Sequence, residues 1–314
     1  MFSNKNYVLA VWKEGSFSKA AKKLYISQPS LSATIKRIED KISAPLFNRS
    51  TNPVTLTEAG EEYIKCALEI DRTEKSFESY IIDLTSLAQG SVRLGGSSLF
   101  SSFMLPDMIF RFNKKYPHIN FEVFEDSTKN LIEKLSLGDL DIVLDNAVIQ
   151  DAGLTSIPYK SEMLLLAVPD YYEVNKTLKP YRLTKDDIKT GAHLKEDIKV
   201  SVKHFSSFPF ILLNPENDTG RRANNIFKES KITPDVIFSL DQQVTAFNTS
   251  ATGMGITFVS DTLLINSRLG ENLYYYRLDS KEILRNIFFI TKSTRYLPLA
   301  CQKFIEFHTK GELK

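Results

Sequence analysis

GSFSKAAKKLYISQPSLSATIKRIEDKISAPLFNRSTNPVTLTEAG, residues 15–60, decides the architecture of the N-terminal part of the chain. Just before it, Tyr7, Ala10 and Val11 sit at helical spacing, and Gly15 ends that first helix. Ser16 or Ser18 can cap a second helix whose inner face is Phe17, Ala20, Ala21 and Leu24. The paired alanines are small enough to let another helix approach closely. A short turn at Tyr25 and Ile26 leads to Ser27, a natural N-cap, and Pro29 falls in the first turn of a third helix, where no intrahelical N–H is needed. Leu31, Ile35, Ile38 and Ile42 form one buried stripe of that helix. Gln28, Ser32 and Lys36 line its opposite face, beside Ala33 and Arg37. A helix, a tight turn and a helix with a polar, partly basic outer stripe read as a helix-turn-helix. Such a second helix fits the major groove of DNA, where Gln reads adenine and Ser contacts either base type, with Lys36 and Arg37 on phosphates. A three-helix packing unit with a solvated polar face is the other reading of the same pattern.

Charge supports the first reading. Residues 1–60 hold nine Lys/Arg against four acids, a net +5, while the remainder holds 31 basic and 34 acidic residues, a net −3. A basic head on a mildly acidic body suits a nucleic-acid reader joined to something else. The 314 residues, 42% hydrophobic and 25% charged, are enough for two folded domains. No apolar run approaches the ~20 residues of a bilayer span, and MFSNKNYVLAVWKEGSF has no secretory-signal pattern, so a cytoplasmic protein with no membrane partner is expected. Cys66 and Cys301 make no disulfide framework, and His118, His193, His204 and His308 give no zinc spacing, so neither metal nor cofactor is expected. No nucleophile–base constellation stands out, so no catalytic residues are assigned and an enzyme is not expected.

Between Thr57 and about Ala88 there is no Pro, and the one Gly is Gly60. Tyr63, Ile70, Phe77 and Leu84 recur every seven residues, and Cys66, Thr73, Tyr80 and Leu87 follow each by three. This a/d pattern predicts a long helix that buries its stripe against a second copy, with Tyr63, Ile70, Phe77, Tyr80 and Leu84 as the dimerisation seam. A helix lying along its own domain is the alternative. A dimer presents two recognition helices, so its DNA site is an interrupted inverted repeat.

Beyond Gly90, strands and helices alternate: SVRLGG, a helix over 100–116, INFEVFE, a helix over 128–137, a strand over 141–144, MLLLAV, then FPFILL, GRRANNIFKES, DVIFSL, a helix over 242–252, and GITFV. The order implies parallel sheets covered by helices. Small molecules bind such sheets in the crevice beyond the strand C-termini. Three loops converge there, each entering a helix: 96–98, 126–128 and 217–220. Their free amides and helix dipoles favour an anionic ligand, with Arg221 and Arg222 as further partners, although Ser and Thr at such positions also simply cap. The polar stretch over 171–207 reads as a surface insertion, an added helix or a lid.

Residues 15–60 resemble, nearly position by position, the winged helix-turn-helix of LysR-type transcriptional regulators. Gly15, Phe17, Ala20, Ala21, Leu24, Ser27, Gln28, Pro29, Leu31, Ser32, Ile35, Glu39, Pro45, Leu46, Phe47, Arg49, Thr57 and Gly60 carry the likeness. GSVRLGG, LPDMIFRFNKKYP, LSLGDLDIVL and ATGMGITFV resemble, more loosely, that family's effector-binding domain. The resemblance implies an α/β multi-domain fold: a winged helix-turn-helix over 1–57, a linker helix over 58–88, and over 90–314 a periplasmic-binding-protein-like domain of two α/β subdomains. Subdomain I is placed at about 90–161 and 265–314 and subdomain II at about 162–264, with crossover strands near Glu162 and Leu264. It implies a DNA-binding set of Ser27, Gln28, Pro29, Ser30, Ser32, Lys36, Arg37 and, from a wing over 49–56, Arg49 on phosphate. It places the effector on Ser97, Ser98, Thr128, Asn217 and Thr219, with the turn at Gly253 and Met254 lining the cleft. The implied function is regulation of transcription by a small anionic effector, the partners being double-stranded promoter DNA, the effector, a second or further copies in a dimer or tetramer, and RNA polymerase. A soluble small-molecule-binding protein with no transcriptional role is the alternative. Relatives often carry basic residues where this chain has Ala33, Asn52, Pro53 and Thr55, so binding with a shallow salt dependence is expected.

Overall fold

Ser27 starts the decisive helix as its sequence requires: in the computed structural model, which describes residues 1–85, 90–147, 153–267 and 270–309, its hydroxyl accepts from the amide of Ser30. The head holds α1 (Lys5–Glu14), α2 (Phe17–Lys23) and α3 (Gln28–Ile42). Gly15 closes α1 at φ +58°, and Ser16, rather than Ser18, caps α2. Leu31 and Ile35 of α3 are fully buried against Val8, Val11, Ala20 and Ala21. Two short strands, β1 (Phe47–Asn48) and β2 (Thr55–Leu56), pair antiparallel and form the base of a wing. Glu39 ties that wing to α3, accepting from the Leu46 amide and from Arg49, each at 2.8 Å. The long helix α4 (Glu58–Thr85) follows; a Cβ on Gly60 in its first turn would sit 2.0 Å from the Leu46 carbonyl oxygen. At ~1.5 Å per residue its 28 residues span roughly 42 Å.

The seam expected on α4 is divided. Tyr63, 5% exposed, packs with Ile64 and Ala67 into the head's own core and is not available to a second copy. The periodicity is real there, but its first heptad serves the domain that the helix leaves. Further along, Phe77, Tyr80 and Ile81 are exposed and Ile70 half-buried. The side chain of Leu84 and residues 86–88 lie outside the described residues.

The body opens with β3 (Gly90–Gly96), α5 (Ser98–Phe103), α6 (Leu105–Lys115), β4 (Ile119–Glu125), α7 (Thr128–Leu137) and β5 (Ile142–Asp145). The single helix expected over 100–116 is broken at Met104, and Pro106 stands in the first turn of its second half. The 16-residue β6 (Leu154–Pro169) leads into α8 (Val174–Thr177), α9 (Lys185–Lys189) and β7 (Lys199–Val200). Then come β8 (Pro209–Leu213), α10 (Asp218–Ser230), β9 (Asp235–Leu240), α11 (Gln243–Ala251), β10 (Ile256–Ser260), α12 (Asp261–Asn266), β11 (Leu273–Leu278), β12 (Leu284–Lys292) and α13 (Leu299–Thr309).

The strands run β4-β3-β5-β12-β6-β10-β8-β9, with β11 on β6 and β7. β3 is parallel to β4 and β5, and β8 to β9 and β10, as helical crossovers demand. β6 serves both halves: Leu154 to Met163 pair with β12, and Leu164 onward pairs with β10 and β11. The first crossing therefore falls at Met163, beside the expected Glu162. The return does not fall at Leu264, which is fully buried in α12 of subdomain II. It lies between β11 and β12, at 279–283, because β11 still pairs with the second half of β6. Subdomain II thus reaches about 278. The 171–207 stretch is neither lid nor decoration: it buries Leu178, Leu183, Ile188, Val200 and Phe205 in the main core and pairs with β11. Among the described residues no helix is long and apolar enough to cross a membrane.

Candidate nucleic-acid interface and effector cleft

Burying Leu31, Ile35 and Ile38 forces the opposite face of α3 outward. Gln28, Pro29, Ser30, Lys36 and Arg37 are exposed and Ser32 is half-buried, with Ser27 exposed at the cap. The α2–α3 turn carries Tyr25 at φ +56° and almost wholly exposed. Arg49 leaves β1 exposed but engaged, bonded to Glu39 with its guanidinium 5.0 Å from the centre of the Phe17 ring. The same pair that fixes the wing also aims its one arginine.

The second site lies between the two subdomains of the body. A chamber of about 420 Å³ is lined by Ser97, Thr128, Lys129, Asn214, Asn217 and Gln242, among others. It belongs to the C-terminal edges of β3, β8 and β9 and the first turns of α5, α7 and α10. Ser127 caps α7 by accepting from the Asn130 amide and Asn217 caps α10 by accepting from the Thr219 amide, and both cap residues line the chamber. Ser98 donates its hydroxyl to Gln242 at 2.8 Å, a bond from subdomain I to subdomain II. Asp126, at the edge, accepts from Lys134, Asn130 and the Ser127 amide, which holds its carboxyl down to about 2.

Beneath the chamber a recess of about 30 Å³ reaches Asp145, Asn146, Asp218, Thr219 and Arg285. The side chain of Arg285, 2% exposed, donates to Glu162 at 2.7 Å, Asp218 at 3.0 Å and Thr219 at 2.8 Å. Asn146 also donates to Glu162 at 2.7 Å. Both Arg285 contacts with Glu162 use Oε1, and Oε2 is buried without a hydrogen-bond partner. Burial opposes the charge on Asp218, but Arg285 and Arg222 outweigh it and hold this carboxyl below its ordinary range. Asp145 is different. Burial pushes its carboxyl up, opposed by hydrogen bonds from the Ala147 amide and the Thr128 hydroxyl, each at 2.8 Å. Among the described residues no group of three or more metal-ligating side chains is present.

The LysR substrate binding domain family matches residues 85–311, and the bacterial regulatory helix-turn-helix family of LysR type matches residues 4–61. The chain belongs to the LysR family of transcriptional regulators. It is 26% identical over 303 residues to the uncharacterized HTH-type transcriptional regulator YcgK of Bacillus subtilis, covering 96% of this chain and 91% of YcgK. It is 29% identical over 305 residues to a probable RuBisCO transcriptional regulator of Cyanidioschyzon merolae, covering 95% and 93%. Full-length CbnR, solved in complex with its target DNA, shares the fold with a TM-score of 0.66 at 17% identity, covering 99% of both chains. The effector-binding domain of QuiR with shikimate has a TM-score of 0.58 at 15% identity and covers 71% of this chain and 96% of QuiR's domain.

Set on this LysR-type frame, the residues expected to meet the effector divide. Ser97, Thr128 and Asn217 line the chamber, and Thr219 lines the recess beneath it. Ser98 stands beside it, bonded to Gln242. Gly253 and Met254 do not line it. Their turn precedes β10 and so lies at the N-terminal edge of the strands, with Gly253 packed under Tyr171 and accepting its hydroxyl. Arg221 and Arg222 are not ligands in waiting either: both pair with Asp218, and Arg222 also donates to the backbone carbonyl of Glu282. The sequence reading missed Asp145, Glu162, Gln242 and Arg285. Asp145 was findable, because it ends a strand in LDIVLD at the crevice. Arg285 and Glu162 are separated by 123 residues, and nothing local links them.

Proposed function

We propose that this LysR-type regulator reads DNA with the exposed end of α3 and senses a metabolite in the cleft of its body, acting by binding rather than turnover. Gln28 and Ser32 contact base edges, with Ser27, Pro29 and Ser30 at the groove wall. Lys36, Arg37 and Arg49 sit on phosphates and set the register. Ile70, Phe77 and Tyr80 on α4 meet a second copy, so the operator is an interrupted inverted repeat. CbnR crystallised with its target DNA, and QuiR with shikimate, support these two assignments. An anionic group of the effector takes the free amides of α7 and α10. Its occupancy shifts the balance between two arrangements of the subdomains by its differential affinity for them.

The observation that carries the reading is the outward polar face of α3, Gln28, Ser32 and Lys36, above the fully buried Leu31 and Ile35. A band-shift titration on the DNA flanking the chain's own gene tests it. Gln28→Ala is expected to cost about 1–3 kcal/mol on the specific site and little on scrambled DNA. Equal loss on both removes the base-reading role.

A further inference from the structure

One carboxyl of the recess under the cleft, that of Asp145, is hydrogen-bonded by no cation. Glu162 and Asp218 share Arg285, and Asp218 is also bonded by Arg221 and Arg222. Asp145, 4% exposed and lining the same recess, receives only the neutral donors Thr128 and Ala147. Arg285 attracts it through space but spends its hydrogen bonds on Glu162, Asp218 and Thr219. A carboxylate offers about four lone-pair positions, so two remain for a donor entering from the chamber. Among the described residues the chamber walls carry Lys129 as their one cation against Glu216 and Asp241. A ligand carrying negative charge alone would meet amides at α7 and α10 and repulsion from three carboxylates.

From this we infer that the effector is a small amino acid: its ammonium group binds Asp145 in the recess and its carboxylate binds at the Ser97–Thr128 rim. The inference rests on the cleft being the effector site and adds the class of ligand. Ser97 and Thr128 line both chamber and recess, so they stand where the two charges of an amino acid, one carbon apart, would lie. The side chain then points into the chamber toward Asn214 and Asp241. Its volume of about 420 Å³ suits a small metabolite. An ammonium on Asp145 gives that carboxyl the cationic hydrogen-bond donor it lacks, and burial makes the pair depend strongly on both partners.

The test is thermal shift on the full chain with glycine and each of the nineteen standard L-amino acids, followed by calorimetry on any that raise the melting temperature. At least one is expected to do so. Its N-acetyl derivative and its 2-hydroxy-acid counterpart are expected to bind roughly 30-fold more weakly or worse. Asp145→Asn is expected to lose a similar factor. The derivatives need no variant, so the comparison holds even if Asp145→Asn fails to fold. No shift from any of the twenty overturns the inference, as does equal binding of the 2-hydroxy acid. If hydroxy acids bind equally and Thr128→Val abolishes their binding, the cleft stands and the ammonium falls. If they bind regardless of Thr128→Val and Asp145→Asn, the cleft reading falls as well.

Discussion

Arg285→Met removes the one cation at the centre of the buried network while keeping an unbranched side chain in its place. The guanidinium gives up bonds to Glu162 at 2.7 Å, Asp218 at 3.0 Å and Thr219 at 2.8 Å. Asp218 keeps Arg221 and Arg222 but loses Arg285, its strongest attraction, so only part of its compensation survives. Glu162, fully buried, keeps only the Asn146 amide. Leaving one buried charge unpaired costs about 3–5 kcal/mol. With a urea m-value of about 3 kcal/mol/M for a domain of this size, the body's midpoint falls by roughly 1–1.7 M. The chain's one tryptophan, Trp12, lies in the head, so its fluorescence follows the head while far-UV circular dichroism also follows the body. The fluorescence transition is therefore expected to stay put while the dichroism transition moves. Adding Glu162→Gln removes the orphaned charge and should recover about 2 kcal/mol or more. In the native chain Asp218 is held below its ordinary range, so its contribution is present above that range and lost as pH falls through the lowered value. The gap between native and Arg285→Met should accordingly narrow in acid, where the carboxyls protonate. A loss under ~1 kcal/mol, or a double variant no better than the single one, refutes the reasoning.

Gly60→Ala places a Cβ 2.0 Å from the Leu46 carbonyl oxygen and should cost the head about 1–3 kcal/mol, read by Trp12 fluorescence in urea; an unchanged midpoint contradicts the packing described. Phe77, 63% exposed on α4, is expected to lie in the dimer contact, so Phe77→Asp should yield monomers in sedimentation and weaken operator binding. A dimer of native strength would move the contact elsewhere. Thr128→Val deletes the hydroxyl bonded to Asp145 and is expected to blunt the effector response while leaving DNA binding intact. An unchanged dose–response curve would exclude that wall of the cleft.

The head was legible because its determinants are local. Ser27, Pro29 and the Leu31–Ile35–Ile38 stripe lie within one helix, and each does in the structure what its chemistry dictates. Tyr63 misled for the same reason. A heptad pattern reports that a face is buried but not against what, and here the first heptad packs on the head. In the body the strand–helix alternation and the crevice rule found Ser97, Thr128 and Asn217. The return crossover was misplaced because the apolar run around Leu264 is a capped helix, Ser260 bonding the Leu263 amide, whereas the later LYYYRL still belongs to subdomain II. The Glu162–Arg285–Asp218 network leaves no local trace, since its three members come from β6, β12 and α10.

The central claim, that the outer face of α3 enters the major groove, meets its most direct test in dimethyl sulfate protection of guanine N7, a major-groove atom, on the DNA flanking the chain's own gene. The full chain is expected to protect two clusters of guanines about 10 base pairs, or a multiple of that, apart. Tight binding with every guanine N7 left reactive would contradict it.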